Sequence, residues 1–134
     1  MTTIADRTVL VTGANRGLGQ EFVRQFLARG AATVLAAARD PQSVDATDPR
    51  VVPVALDVTD PVSVAAAAAA HPGVDAVVNN AGVSLVQPVL AADPSALRRE
   101  LEVNLFGALA VASAFTASVT QRRGAVVNVA SVLA

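Results

Sequence analysis

Eight residues near the start of the chain, 12–19 (TGANRGLG), have the composition of a turn that binds phosphate. An uncharged run with β-branched residues, 8–11, precedes the turn and predicts a buried strand. Beyond the turn, Leu18, Phe22 and Phe26 recur at helical spacing and predict an amphipathic helix. Glycine lets the backbone approach an anion closely, and the free N–H groups that begin a helix attract it. The turn is therefore predicted to bind the phosphates of a nucleotide.

A second polar turn, Asn79-Asn80-Ala81-Gly82, ends the predicted strand of residues 74–79. Ligands of an open parallel sheet bind beyond the carboxyl ends of its strands, so both turns are expected at one edge. The simpler alternative is a polar turn that only ends a strand. The N-N-A-G turn lies about 65 residues after the glycine turn, and the presence of both turns favours a nucleotide site.

Alternating strands and helices must position these turns. Apolar runs predict five strands, which are residues 8–11, 33–38, 51–56, 74–79 and 125–130. Between them, Asp60-Pro61 and Asp93-Pro94 are typical helix N-caps followed by proline at the first helical position. Because the strand interiors lack charges, both faces of the sheet are expected to be covered. The predicted fold is α/β, a doubly wound, Rossmann-like parallel sheet of about five strands with helices on both faces.

The glycine spacing, T-G-x-x-x-G-x-G, differs from the G-x-G-x-x-G of the ordinary dinucleotide fingerprint. Together with the N-N-A-G turn, it resembles the short-chain dehydrogenase/reductase family over essentially the whole chain. The resemblance implies an oxidoreductase that moves a hydride between a nicotinamide cofactor and a small-molecule carbonyl or alcohol substrate. It also implies that Asn79 helps to hold the sheet, and that the cofactor-binding residues are Gly13, Asn15, Arg16, Gly17, Leu18, Gly19, Asn80, Ala81 and Gly82.

The same resemblance assigns roles to four further residues. Asp57 is expected to accept a hydrogen bond from the adenine amino group while Val58 backs the ring, although Asp57 also fits a turn leading into the next helix. Asn104 and Gly107 weaken one turn of a long helical stretch, so a kink that frees a backbone carbonyl is expected there. The resemblance implies that this carbonyl holds a water, which completes a proton relay to the catalytic lysine. Ser131 matches the active-site serine. The simpler alternatives are a packed polar residue for Asn104 and a serine that ends a strand for Ser131.

The end of the second predicted strand indicates the cofactor. Enzymes that prefer NAD usually place a carboxylate there, which binds the ribose 2′-hydroxyl and repels a 2′-phosphate. Here the position is Ala38, followed by Arg39, and Arg16 supplies a second guanidinium that favours a phosphate. One such charge-assisted hydrogen bond contributes about 1.5–3 kcal/mol. A shift of one residue would bring Asp40 near the ribose, but Pro41 indicates that Asp40 caps a helix, so NADP(H) is predicted over NAD(H).

Composition narrows the remaining possibilities. The chain has the length of one dinucleotide-binding domain, residues 1–134, and its net charge of −1 gives no reason to expect a nucleic-acid partner. The absence of cysteine suits a cytoplasmic location, and with His71 as the single histidine no metal site is expected. The first predicted strand begins so near the N-terminus that no signal peptide is expected. No apolar run approaches the roughly 20 residues of a membrane span, so no membrane partner is expected.

The chain contains no tyrosine, and all ten of its basic residues are arginine. The family's chemistry needs a Y-x-x-x-K pair shortly after the serine, in which lysine lowers the pKa of the catalytic tyrosine. The domain is therefore expected to lack the family's C-terminal strands and helices, and to bind cofactor far better than it catalyses. An uncovered last strand and long helix predict a homo-oligomer. The alternatives are a catalytically inactive NADP(H)-binding protein and a self-associating structural module.

Overall fold

Five parallel strands form one sheet in the computed structural model, which describes residues 3–131, the side chain of Val89 excepted. The spatial order is β3-β2-β1-β4-β5, so the chain reverses direction across the sheet between β1 and β4. This reversal opens a crevice beyond the carboxyl ends of those two strands. The strands are β1 (Thr8–Thr12), β2 (Thr33–Ala38), β3 (Val51–Ala55), β4 (Ala76–Asn79) and β5 (Ala125–Asn128). The predicted doubly wound sheet is confirmed, with the last three strands shorter than predicted.

Four α-helices connect the strands, and the last two belong to one continuous helical stretch. A π-helical segment, Glu102–Gly107, joins them. Short 3-10 turns, Pro41–Ser43 and Val89–Ala91, interrupt two of the loops. The helices are α1 (Gly17–Ala28), α2 (Pro61–Ala70), α3 (Pro94–Leu101) and α4 (Ala108–Gln121).

Helices cover both faces of the sheet and create two apolar cores. On one face, α1 packs through Val23, with Phe22, Phe26 and Leu27 at the margin of the core. On the other face lie α2 and α4, whose buried residues Val64, Ala67, Val111, Phe115 and Val119 meet sheet residues such as Leu10 and Val77. Consecutive strand residues point to opposite faces. Uncharged β1 and β2 therefore supply both cores.

Three Asp-Pro pairs begin helices or helical turns. Asp60 and Asp93 cap α2 and α3 by accepting hydrogen bonds from the N–H groups two residues later, at 2.9 and 3.1 Å. Asp40 does the same for the 3-10 turn that starts at Pro41, at 2.9 Å. The prediction that Asp40 acts as a cap is confirmed.

Two helices end in the same way, but only one of them uses glycine. After α1, Gly30 adopts a left-handed conformation (φ 83°), and the next N–H donates to the Phe26 carbonyl. After α4, the left-handed residue is Arg123 (φ 54°) and not Gly124. Gly124 is required for a different reason, because any Cβ there would collide with the Asp75 carbonyl oxygen.

The two edges of the sheet differ. β3 carries Pro53 at its centre, paired with Ala36 of β2, and proline has no N–H to offer beyond that edge. β5 has no proline, and Val126 and Val127 are exposed. Within the described residues the last strand is thus uncovered, as the sequence predicted.

The long helical stretch also has an exposed apolar face. Its residues recur at helical spacing and are about half exposed; they are Leu97, Leu101, Leu105, Phe106 and Leu109. The expectation that no apolar run approaches the length of a membrane span needs correction here. By length and composition alone, the 28 helical residues Pro94–Gln121 could cross a membrane, since an 18-residue window reaches a mean hydropathy of 1.5. This is weak evidence for a span, because Phe115 and its neighbours in α4 pack on the sheet and Arg98 and Arg99 lie in α3.

Candidate cofactor-binding site

The glycine turn between β1 and α1 is built from two left-handed glycines and one close backbone contact. Gly13 (φ 62°) and Gly17 (φ 54°) adopt conformations that side chains disfavour. Gly19 is buried, and a Cβ there would overlap the Gly13 carbonyl oxygen and lie 2.7 Å from the Asn80 side-chain nitrogen. The turn therefore folds tightly against the second polar turn.

The first turn of α1 is open to an anion. Among residues 3–131, no atom accepts a hydrogen bond from the N–H groups of Gly17, Leu18 or Gly19, and Arg16 provides no side-chain cap. A Cβ on Gly17 would meet nothing within 4 Å. Exposed donors beside empty space at a helix N-terminus are the features that bind a phosphate.

Thr12 ties the two polar turns together, which the sequence analysis missed. Its hydroxyl oxygen accepts hydrogen bonds from the N–H groups of Asn80 (3.0 Å) and Ala81 (2.9 Å). In return, the Asn80 side chain donates to the carbonyls of Thr12 (3.1 Å) and Gly13 (3.2 Å). The threonine that opens the T-G-x-x-x-G-x-G pattern was the available signal. These bonds fix the floor of the crevice between β1 and β4.

Asn79 links β4 to its neighbours. Its side-chain nitrogen donates to the Ala108 carbonyl at the start of α4 (3.0 Å) and to the Asn128 side chain of β5 (2.9 Å). The Asn79 side-chain oxygen is buried and has no hydrogen-bond partner in the part of the chain that the structure describes. The bonds are those expected of a residue that holds the sheet.

A cleft of about 1200 Å³ lies along the carboxyl ends of the strands. All the predicted cofactor-binding residues line it, except the buried Gly19. The sequence analysis missed several lining residues, including Ser43, Thr59, Arg98, Arg99, Glu102 and Val103. No short motif marks them, because α3 and the π-helical segment approach the cleft only in the folded chain.

Asp57 and Val58 lie where β3 gives way to the turn before α2. One carboxylate oxygen of Asp57 accepts hydrogen bonds from the Thr59 N–H (2.9 Å) and hydroxyl (2.7 Å). These bonds, with a smaller contribution from the Arg39 charge, lower the pKa of Asp57 below its ordinary value. Asp57 therefore forms the turn into the next helix that was the alternative to adenine binding. The second carboxylate oxygen makes no hydrogen bond within residues 3–131, and adenine recognition through it stays a prediction.

The basic residues of the cleft form no ion pairs within the described residues. Arg16 and Arg39 are exposed and form no ion pair within the described residues, and the same holds for Arg98 and Arg99 of α3. The side chain of Asn15 donates to the Ser43 hydroxyl (3.1 Å), which donates to the Asp40 carbonyl (2.6 Å). These bonds join the glycine turn to the loop that carries Arg39.

Asn104 lies inside the π-helical segment, so the helical irregularity expected at this residue is present. Its side chain makes two hydrogen bonds to Val83, accepting from the N–H and donating to the carbonyl, both at 2.8 Å. Ser131 follows β5 and is exposed. Neither residue lines the cleft. Their catalytic roles stay predictions.

Comparison with known proteins agrees with this geometry. The family model for short chain dehydrogenase matches residues 7–134. Human L-xylulose reductase is 37% identical over 133 residues, which cover 96% of this chain and 54% of that protein.

Solved structures give the same picture. A short chain dehydrogenase from Burkholderia cenocepacia in complex with NADP superimposes with a TM-score of 0.94 at 42% identity, over 98% of this chain and 56% of that one. An NADPH-bound carbonyl reductase from chicken fatty liver gives 0.79 at 32% identity, over 88% and 53%. The chain thus spans about half the length of these relatives. The match extends from β1 past β5, and the chain belongs to the short-chain dehydrogenase family.

Proposed function

We propose that the chain is the cofactor-binding part of an NADP(H)-dependent, cytoplasmic short-chain oxidoreductase that acts on a small-molecule carbonyl or alcohol. The observation that carries the proposal is the empty space over Gly17, bordered by the unbonded N–H groups that begin α1. An anion placed there would receive those hydrogen bonds and the positive end of the helix. The NADP and NADPH of the solved relatives support this choice of cofactor.

The residues of the cleft suit NADP(H) from end to end. Arg39, next to Ala38, and Arg16 offer unpaired guanidinium groups where a 2′-phosphate would lie. The free oxygen of Asp57 suits the adenine amino group. Asn80, Ala81 and Gly82 line the opposite end, where the nicotinamide would lie.

Bound NADP(H) supplies or accepts the hydride. The chain's own contribution is to bind the phosphates and to position Asn104 and Ser131, which we assign to the water-mediated proton relay and to substrate orientation. The chain contains no tyrosine and no lysine. A positioned general acid or base contributes about 10²–10⁴ in rate. We therefore expect this chain alone to bind cofactor and to turn over substrate poorly.

Titration of the protein with NADPH and with NADH, followed by calorimetry or by nicotinamide fluorescence, tests the proposal. We expect NADPH to bind at least tenfold more tightly than NADH, because one charge-assisted hydrogen bond accounts for about that preference. A carbonyl-reduction assay on the same sample measures the residual turnover. Failure to bind NADPH would refute the proposal, and equal affinities would refute the assignment of NADP(H).

A second candidate function is self-association, with or without cofactor. The exposed leucines of α3 and α4 and the exposed valines of β5 favour it, since large apolar patches on monomers are rare. We propose a homo-oligomer formed through these surfaces. Sedimentation velocity tests this candidate, and Leu101→Glu and Leu109→Glu are expected to shift the protein toward the monomer. A strictly monomeric protein at high concentration would contradict it.

A further inference from the structure

The π-helical segment contacts the adenine side of the cleft through a glycine. A Cβ on Gly107 would lie 2.7 Å from Cγ2 of Val58, 3.0 Å from its Cβ and 3.2 Å from its carbonyl oxygen. Gly107 is buried and has ordinary helical φ and ψ angles, so glycine is not needed there for its backbone freedom. It is needed because the helix backbone approaches Val58 too closely for any side chain.

Val58 has little room to move toward the core. It packs against the core that contains Val111 and Phe115 of α4, and it lines the cleft beside Asp57. A group inserted at residue 107 must therefore displace Val58 toward the cleft or push the helical segment outward. Either movement changes the surface that faces an adenine ring.

The same segment also holds the opposite wall. Asn104 lies three residues before Gly107 and binds both backbone groups of Val83, which follows the second polar turn and also lines the cleft. Gly82 is close enough that a Cβ on it would lie 3.3 Å from the Asn104 side-chain oxygen. One six-residue segment thus contacts a wall at each end of the cleft.

We propose that the π-helical segment fixes the two walls as one unit, with Gly107 positioning Val58 and Asn104 positioning Val83. A displacement at one end is then felt at the other. The inference rests on the proposed function, because it assigns the Val58 wall to adenine. Gly107 and Asn104 act as positioning residues here, since neither lines the cleft.

The first test is an exchange of size between the two positions. We expect Gly107→Ala to weaken adenosine 2′,5′-bisphosphate and NADPH about tenfold, in the range that overpacking produces. Val58→Ala removes the atom that makes the 2.7 Å contact, so V58A/G107A should bind both ligands more tightly than G107A. Gly73→Ala is the matched control, because its Cβ would approach only the end of the Arg122 side chain, far from the cleft lining. We expect it to bind as wild type does.

The second test examines the link between the walls. Asn104→Ala removes both bonds to Val83 and should weaken adenosine 2′,5′-bisphosphate about threefold, although this ligand has no nicotinamide half. Circular dichroism verifies folding of each variant. If G107A does not fold, V58A/G107A is expected to recover folding and part of the binding, because Val58→Ala removes only the 2.7 Å contact.

The inference is overturned if folded G107A binds both ligands as wild type does, if V58A fails to improve it, or if N104A leaves adenosine 2′,5′-bisphosphate unaffected. A wild-type protein that binds neither ligand would instead refute the proposed function. The two failures are therefore distinguishable.

Discussion

The two ends of the parallel sheet treat their polar groups in opposite ways. At the amino end, the chain satisfies its own buried groups. The carboxylate of Asp75 is almost fully buried, pairs with Arg7 at 3.0 Å and accepts a hydrogen bond from the Thr8 N–H at 2.8 Å. The Ser118 hydroxyl lies 2.8 Å from the Pro72 carbonyl and 2.7 Å from that of Val74.

At the carboxyl end, strong donors are left without protein partners. The N–H groups of Gly17 and Leu18 and the guanidinium groups of Arg16 and Arg39 have none within residues 3–131. Unpaired donors weaken a fold only when they are buried away from water. These donors line an open cleft, so they are available to a ligand. The difference teaches that the amino end uses its polar groups within the fold, whereas the carboxyl end leaves some of its donors open to a ligand.

The largest expected effect comes from a charge placed in the anion site. Gly17→Asp should weaken NADPH binding about 1000-fold, since two like charges about 4 Å apart at an effective dielectric constant of about 20 repel by about 4 kcal/mol. Gly17→Asn is the matched control, because asparagine has the same shape and tolerates the left-handed conformation. Calorimetric titration of both variants measures the difference. Equal losses in the two would show that shape, and not charge, decides binding at this turn.

At the amino end, Asp75→Asn should lower stability while leaving the cofactor site intact. We expect a loss of about 2–3 kcal/mol in the free energy of unfolding, because a buried charged hydrogen bond is replaced by a weaker neutral one. Urea denaturation measures this loss, and a titration with NADPH should give an affinity within twofold of wild type. A large change in affinity would mean that the two ends are not independent.

A smaller effect is expected where the cofactor carries its 2′-phosphate. Arg39→Ala should weaken NADPH about tenfold or more by removing a charge-assisted hydrogen bond, and should leave NADH nearly unchanged. Arg122→Ala, which removes the same charge from the other end of the sheet, provides the control. Loss of both cofactors in parallel would contradict a specific phosphate contact.

The smallest effect concerns pH. Because hydrogen bonds from Thr59 and the nearby Arg39 lower the pKa of Asp57, its carboxylate remains charged at every pH above its ordinary value of 3.8. Its favourable contribution to stability is complete above that value and is lost only as the pH falls through the lowered pKa. The ratio of NADPH affinities between wild type and Asp57→Asn should therefore be constant from about pH 5 to pH 8. A ratio that changes in this window would mean that Asp57 titrates there.

Local patterns were sufficient for the elements and for most of the cleft. Apolar runs predicted the strands because a sheet covered on both faces excludes charge, and the one charged residue in those runs, Asp75, lies just before β4. Asp40-Pro41 predicted its turn because the cap requires only neighbouring residues. The glycine turn and the N-N-A-G turn were likewise found, since each is a continuous segment and most of its residues line the cleft.

Contacts between distant segments could not be predicted from such patterns. Gly107 against Val58 depends on how two elements cross in the folded chain. The end of α4 is a further example, because the left-handed residue there is Arg123, while Gly124 avoids a collision with the carbonyl of Asp75, which is distant in the sequence.

Pro53 at the centre of β3 limits how copies of this chain can polymerise by strand addition. A strand that joins this edge finds no N–H at Pro53, whereas the β5 edge has no such interruption. Two copies that pair through β5 would leave a β3 strand, with its proline, at each outer edge of the combined sheet. Strand addition at the β3 edge is therefore disfavoured by Pro53.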